Sequence, residues 1–356
     1  MIEAVEHIAC MAPYTLADKG APGSISLAEN ESAFSPSEMA ISAGTSAAAS
    51  SQFYPDPDWT DLREAIAGVH GLAPGNILCG AGSMELIGAM IRAFCGPDDE
   101  IFGSQFGYLF VAAAAAQVNA RYVQVPEENF HVSVDAMLDR ITTATKLVFV
   151  CNPGNPTGTR LANAEICRLR AKLPNDVLLI VDQAYAEFDD QDPQSVFGLA
   201  DAGNTVITRT FSKAYGLAGA RVGWGYFPPD VAKEARKLLN PNNISGVSQA
   251  MAAAAMRDQD WMKMVVAKTA ARRSVFSDRL RSVGYVIPES HTNFVLIQFP
   301  SAGQAQDADR NLRSEGLILR PMAGYGLQHC LRATIGDQAA MDRVAETLIL
   351  LKEARS

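Results

Sequence analysis

The sequence predicts an α/β protein in which a large domain, built on a mostly parallel sheet flanked by helices, joins a smaller α+β domain. Three observations predict it. Short apolar runs bounded by Gly, Pro, Asn or Asp recur as far as Tyr226. Helical stretches lie between them, and strands alternating with helices imply a parallel sheet covered on both faces. After about Pro241 the texture changes to an Ala/Met/Arg-rich helical region and then isolated strand-like runs. The chain has 356 residues, 48% hydrophobic and 19% charged, which is enough to bury two joined cores with the balance of an ordinary globular protein.

Taken in order, residues 1–40 are irregular and punctuated by Ser and Pro, so they are expected to lie across a cleft and contribute to the small domain. Residues 41–245 are assigned to the large domain and 246–356 to the small one. Ser83–Phe94 reads as a helix, because Met84, Ile87, Ile91 and Phe94 mark one face at helical spacing. Arg121–Val125, Leu147–Cys151, Val177–Val181, Thr205–Thr208 and Val222–Tyr226 read as buried strands. A helical region then runs to about Ser282, followed by strand-like Asn293–Phe299, Leu317–Leu319 and Leu331–Ile335. The alanine clusters Ala112–Ala116 and Ala252–Ala255 are helix formers that permit close packing.

A net charge of -9 and a pI near 5.1 argue against a nucleic-acid partner, which needs a concentrated basic face. Any anionic ligand must then be met by a few specific cations, so single arginines become informative. Cys10, Cys79, Cys95, Cys151, Cys167 and Cys330 are scattered without metal-ligand spacing, so they read as reduced packing residues and no metal is expected. No leader-like or membrane-length apolar stretch is present, so the expectation is a cytoplasmic protein without a membrane partner.

Four segments carry chemistry. In Thr210-Phe211-Ser212-Lys213, a lysine sits among small hydroxyl residues, and Arg221 follows in a Gly-rich turn. Such a lysine can form an imine while the hydroxyls and the guanidinium hold a phosphate. Asn152-Pro153-Gly154-Asn155-Pro156-Thr157-Gly158 follows the strand Leu147–Cys151; it is either a rigid loop or a turn that aims the Asn155 amide inward as a donor. Asp182 ends an apolar strand, with Tyr185 beyond it. That aspartate either caps a helix or meets a buried cation such as a protonated pyridine nitrogen. Gly80-Ala81-Gly82-Ser83-Met84 opens a helix whose backbone amides can cradle a phosphate. Nucleotide binding is not supported, since neither a GxxxxGK[ST] loop nor a strand-linked GxGxxG is present.

With these segments in place, the chain resembles the fold-type I pyridoxal-phosphate aminotransferases of class I/II, and most closely their histidinol-phosphate aminotransferase group. Further landmarks in the same order are Asn30-Glu31, Tyr54-Pro55-Asp56-Pro57, Phe106-Gly107-Tyr108, Asn293-Phe294-Val295 and Arg332 in a Leu-Arg-Ala-Thr-Ile-Gly run. The resemblance implies that Lys213 carries pyridoxal 5'-phosphate as a Schiff base, that Asp182 pairs with the ring nitrogen, and that Asn155 and Tyr185 hold the ring hydroxyl. It implies Phe106 as the aromatic stacked on the ring, and Gly82, Ser83, Met84, Thr210, Ser212 and Arg221 as the phosphate site. Tyr54 is implied to enter the neighbouring subunit of a homodimer. Arg332, Arg320, Tyr14 and Asn30 are implied on the substrate side, binding a small-molecule amino donor and a 2-oxo acid acceptor. Asn30-Glu31-Ser32-Ala33 departs from the group's usual Asn-Glu-Asn-Pro, and Phe106 replaces a commoner tyrosine. Threonine-phosphate decarboxylation and aromatic transamination fit the same residues, and a non-catalytic cofactor-binding regulator is the remote third reading.

Overall fold

The computed structural model describes residues 2–13, 20–189 and 196–354. Its main sheet has seven strands: β1 (Ile77–Gly80), β2 (Glu100–Ser104), β3 (Arg121–Val125), β4 (Thr145–Cys151), β5 (Leu178–Asp182), β6 (Thr205–Thr210) and β7 (Gly223–Tyr226). Their spatial order is β1-β7-β6-β5-β4-β2-β3. Strand β7 runs antiparallel to both neighbours and the other pairings are parallel.

The antiparallel β7 has a local cause. Residues 211–222, which join β6 to β7, contain only a short 3-10 turn at Ala218–Ala220. A parallel return would need a crossover helix, so the chain reverses instead. The loop therefore lies at the carboxyl end of β6, on the edge where β4 and β5 end at Cys151 and Asp182. All four chemical segments are gathered at this edge, since β1 ends at Gly80, opposite Gly223 of β7, which in turn lies opposite Thr210 at the end of β6; open α/β sheets bind ligands there.

The strands read from the sequence are present, with ends shifted by a few residues. Strands β1 and β2 are additions: both are short, and β2 carries Glu100, a residue type that reads as surface. Glu100 is nevertheless buried, because Arg121 lies directly across from it on β3 and the Thr142 and Thr145 hydroxyls donate to its carboxylate. Helix α1 (Ser83–Phe94) has the expected bounds, and its fully buried residues are Leu86, Ile87, Ala89, Met90 and Ile91. Met84, read as part of that face, turns toward the ligand cavity instead.

The expected helical stretch after Pro241 is two helices, α2 (Gly246–Arg257) and α3 (Gln259–Ser282), broken at Asp258, whose carboxylate accepts the Trp261 amide. The alanines of α2 pack into the larger core, so the change of core falls within α3, where Phe276 and Leu280 join the smaller one. A second sheet of β8 (Phe294–Gln298), β9 (Arg320–Met322) and β10 (Leu327–Thr334), ordered β8-β10-β9 and antiparallel, forms that smaller core. The N-terminal segment is stitched to it: Ile25–Ser26 pairs in parallel with Leu317–Ile318, and Leu27 lies in the smaller core.

Four of the cysteines are buried as expected, whereas Cys10 and Cys167 are exposed and do not pack a core. Among the described residues no helix is long and apolar enough to cross a membrane.

Leu86 is fully buried between α1 and the sheet, whereas Leu350 is 65% exposed. Leu86→Ala is expected to lower the unfolding free energy by about 3 kcal/mol in chemical denaturation, and Leu350→Ala to leave it within about 0.5 kcal/mol.

Candidate functional site

The edge loops, the N-terminal segment and strands β9 and β10 enclose a cavity of about 430 Å³. Lys213 and Asp182 line it, together with Tyr185, Asn155, Arg221 and Arg332. Residues far apart in sequence therefore meet in one space.

Lys213 follows β6, and its amine donates to the Asn30 carbonyl at 2.9 Å and the Glu29 carbonyl at 3.2 Å. Burial, reinforced by the nearby Arg332 charge, lowers its pKa to about 8, so a useful fraction is a neutral nucleophile near physiological pH. Asp182 ends β5 and accepts a 2.8 Å hydrogen bond from Thr208, its register partner on β6. Burial raises the Asp182 pKa to about 6, against the opposing effects of Thr208 and Lys213. Among the described residues no cation forms a salt bridge to this carboxylate, which leaves it suited to a positively charged ligand atom.

The Asn155 loop is closed by Asn152, whose side chain exchanges hydrogen bonds with the Leu161 backbone at 2.7 and 2.9 Å. The Asn155 carbonyl oxygen accepts from Arg332 at 2.6 Å, so its amide hydrogens are left as donors to the cavity. Tyr185 is buried, and Phe294 holds its ring edge-on at a centroid distance of 5.2 Å.

The opposite end of the cavity is an anion cradle. Gly82 caps α1 at φ 81°, and a methyl group there would meet the Arg221 guanidinium at 2.6 Å. A methyl on Gly223 of β7 would fall on the Ser83 amide. Glycine at both places lets the amides of Ser83 and Met84, which as first-turn groups lack intrahelical acceptors, stand beside the arginine. The Ser212 hydroxyl accepts from Thr210 at 3.0 Å and from Arg221 at 3.5 Å, leaving its own proton to donate. Arg221 itself adopts a left-handed φ of 54°, an unfavourable conformation that turns its side chain back over the cradle. Helix amides, hydroxyls and a guanidinium together fit a phosphate group.

Arg332 and Arg320 face each other as register partners on β10 and β9, and both line the cavity. Arg332 is 6% exposed. Its guanidinium donates to Asn155 and, at 2.7 Å, to the Ala28 carbonyl, while its Nε has no partner among the described residues. Burial pulls its pKa down. Like charges across a strand pair repel, and an anion between them removes the repulsion.

Four expected residues need separate mention. Phe106 does not line the cavity: Glu127 accepts its amide at 3.1 Å, and its ring packs on Phe130 at 5.6 Å in the cluster around Leu296 and Met322. The Ser104–Gly107 turn sends residues 106 and 108 in different directions, so Tyr108 lines the cavity instead. Asn30 lines the cavity, with its side chain engaged by Tyr185 and Thr334. Tyr54 is 89% exposed and lies outside this cavity. Tyr14 lies outside the described residues. Tyr325 and Thr208 went unread: Tyr325 sits in a Gly-rich turn with no distinctive spacing, and Thr208 gains its role only through register.

Residues 22–348 match the family model of aminotransferases of class I and II. The chain is similar to the histidinol-phosphate aminotransferase of Jannaschia sp. (strain CCS1), 42% identical over 93% of this chain and 92% of that relative. It is 43% identical to the histidinol-phosphate aminotransferase of Granulibacter bethesdensis, over 94% and 92% of the two chains. The crystal structure of histidinol-phosphate aminotransferase from Sinorhizobium meliloti in complex with pyridoxal-5'-phosphate superposes with a TM-score of 0.94 at 29% identity, covering 100% of this chain and 99% of that one.

The lowered pKa of Lys213 predicts how pyridoxal phosphate is captured by the cofactor-free protein. The rate is expected to rise roughly tenfold per pH unit below about 8, as the amine loses its proton, and to level above it. Stopped-flow absorbance measures this; a rate still climbing above pH 10 would show a fully solvated amine.

Proposed function

We propose that this chain, which belongs to the class I and II aminotransferases and takes pyridoxal phosphate as its cofactor, moves an amino group between a histidinol phosphate-like donor and a 2-oxo acid such as 2-oxoglutarate. The observation that carries the substrate pair is the facing Arg320 and Arg332, a doubled cation that suits a dianionic substrate group. The names of the similar proteins support the phosphate-bearing donor.

When bound, the cofactor supplies an aldehyde and an electron-withdrawing pyridinium ring. The buried Asp182 carboxylate, which forms no salt bridge among the described residues, would favour the protonated form of the ring nitrogen. The Asn155 amide and the Tyr185 hydroxyl would donate to the ring oxygen, and Tyr108 would lie beside the ring. Ser83, Met84, Ser212 and Arg221 would hold the phosphate at the helix start, with Thr210 orienting the Ser212 hydroxyl. Lys213 would hold the cofactor covalently through its Nζ, with loss of water, and once freed by a donor amine the neutral Nζ would be placed to take up the proton of the donor's Cα and hold it for transfer, which its lowered pKa permits. Arg332 grips the carboxylate of the acid substrate, and Arg320 the second anionic group.

The same proposal includes a homodimer. Phe53 and Tyr54 stand side by side at 72% and 89% exposure, with Met39 and Ile41 also exposed. Exposed side chains of this kind are suited to contact with a second copy, whose phosphate site Tyr54 would reach.

A half-reaction screen tests the substrate reading. Single amines are mixed with the yellow holoenzyme, and histidinol phosphate and glutamate are expected to convert it to the pyridoxamine form. Release of carbon dioxide without a keto product would overturn it. Lys213→Ala is expected to abolish both turnover and borohydride fixation of the cofactor.

Arg332→Ala removes a buried charge-assisted contact and is expected to raise KM for 2-oxoglutarate on the order of 100-fold. Arg320→Ala is expected to raise KM for histidinol phosphate more than for a monocarboxylate amino donor. Equal effects of Arg320→Ala on both donors would remove its assignment to the second anion.

A further inference from the structure

We infer that Asn30 is a positioning residue that fixes the direction of the Tyr185 hydroxyl proton, through a one-way hydrogen-bond chain joining the N-terminal segment to both cores. The chain can be followed donor by donor. The Asn30 amide N–H donates to Thr334 Oγ1 at 3.0 Å. With that oxygen already accepting, the Thr334 hydroxyl donates to Asn30 Oδ1 at 3.3 Å. The Asn30 side-chain oxygen is then occupied, and its Nδ2 donates to the Tyr185 hydroxyl oxygen at 2.9 Å. Tyr185 thus receives a hydrogen bond on one side and has no other partner among the described residues. Its own proton is therefore left to point into the cavity it lines.

The surroundings hold this arrangement in place. Asn30 is 1% exposed, and its backbone sits at φ 56° in the left-handed region, which Asn and Gly tolerate and β-branched residues do not. Its carbonyl accepts from Lys213 at 2.9 Å and from Asn293 Nδ2 at 3.0 Å, so the residue contacts the large domain and the smaller one at once. The Phe294 ring edge prevents Tyr185 from swinging away. Asn30 acts here through its neighbours and not as a substrate ligand.

The inference rests on the assignment of Tyr185 to the ring oxygen made above, and the variants separate the two. The readout is the pH midpoint of the colour change of the bound cofactor, taken without substrate. A donor bond from Tyr185 stabilises the ring oxygen as an anion and keeps this midpoint low. Tyr185→Phe is expected to raise it; no shift would defeat the Tyr185 assignment itself.

Asn30→Gly keeps the backbone conformation and the carbonyl held by Lys213 while removing the side-chain donor. It is expected to raise the midpoint by roughly half to one pH unit. Asn30→Asp, which in its ionised form replaces the donor by an acceptor, is expected to raise it further. In the Tyr185→Phe background, Asn30→Gly is expected to add nothing, since both act on one proton. A lowered midpoint in Asn30→Gly would mean that Asn30 accepts the tyrosine proton, and an additive shift in the double variant would mean that it acts elsewhere. Either result, or no shift, overturns the inference. Should the Asn30 variants fail to hold the cofactor, Thr334→Val breaks the same chain one link earlier and is expected to shift the midpoint in the same direction; an unchanged midpoint there also overturns it.

Discussion

The constraint on which the rest of the structure depends is that a carboxylate and a guanidinium are removed from water without being given to each other. Among the described residues, Asp182 accepts a hydrogen bond only from the Thr208 hydroxyl, and Arg332 donates only to an amide oxygen and a backbone carbonyl, with its Nε unpartnered. Either group alone is expensive to bury. Both become favourable once a ligand brings a cation to one and an anion to the other, so the cavity is organised around charges that are incomplete until it is filled. Lys213 lines the same cavity and feels both charges, with its proton loosened chiefly by burial.

Placing those groups is the task of the sheet. Parallel β4, β5 and β6 end at the same edge, and the short return through residues 211–222 adds the lysine and Arg221 there. The antiparallel β7 brings Gly223 against the start of α1, which sets the helix amides beside Arg221 in a cradle suited to an anion. The smaller sheet contributes the two arginines from facing positions on β9 and β10. The N-terminal segment, laid across both cores, closes the set through Asn30.

Much of this was legible in the residues. The buried strands and α1 follow from apolar periodicity, and the lysine, aspartate and glycine-rich segments announce themselves by charged or flexible residues in apolar or hydroxyl company. Strand β2 was not legible, because Glu100 is buried only through Arg121 and two threonines that meet it in three dimensions. Phe106 and Tyr108 show the same limit at the site. Both are aromatics in one landmark, and only the turn at Ser104–Gly107, with the grip of Glu127 on the Phe106 amide, decides which of them lines the cavity.

The sequence by itself determined the local chemistry and its order: an amine among hydroxyls, an acid at a strand end, glycines before a helix, and an arginine in a Gly-rich turn. Residue type and short spacing suffice for such features, since they depend on covalent neighbours and local backbone preference. Only the tertiary structure decided that Arg320 confronts Arg332, that Thr208 supports Asp182, and that Asn30 hands a hydrogen bond to Tyr185. Each is a contact across strands or between distant segments, fixed by register and packing, which the order of residues along the chain does not record.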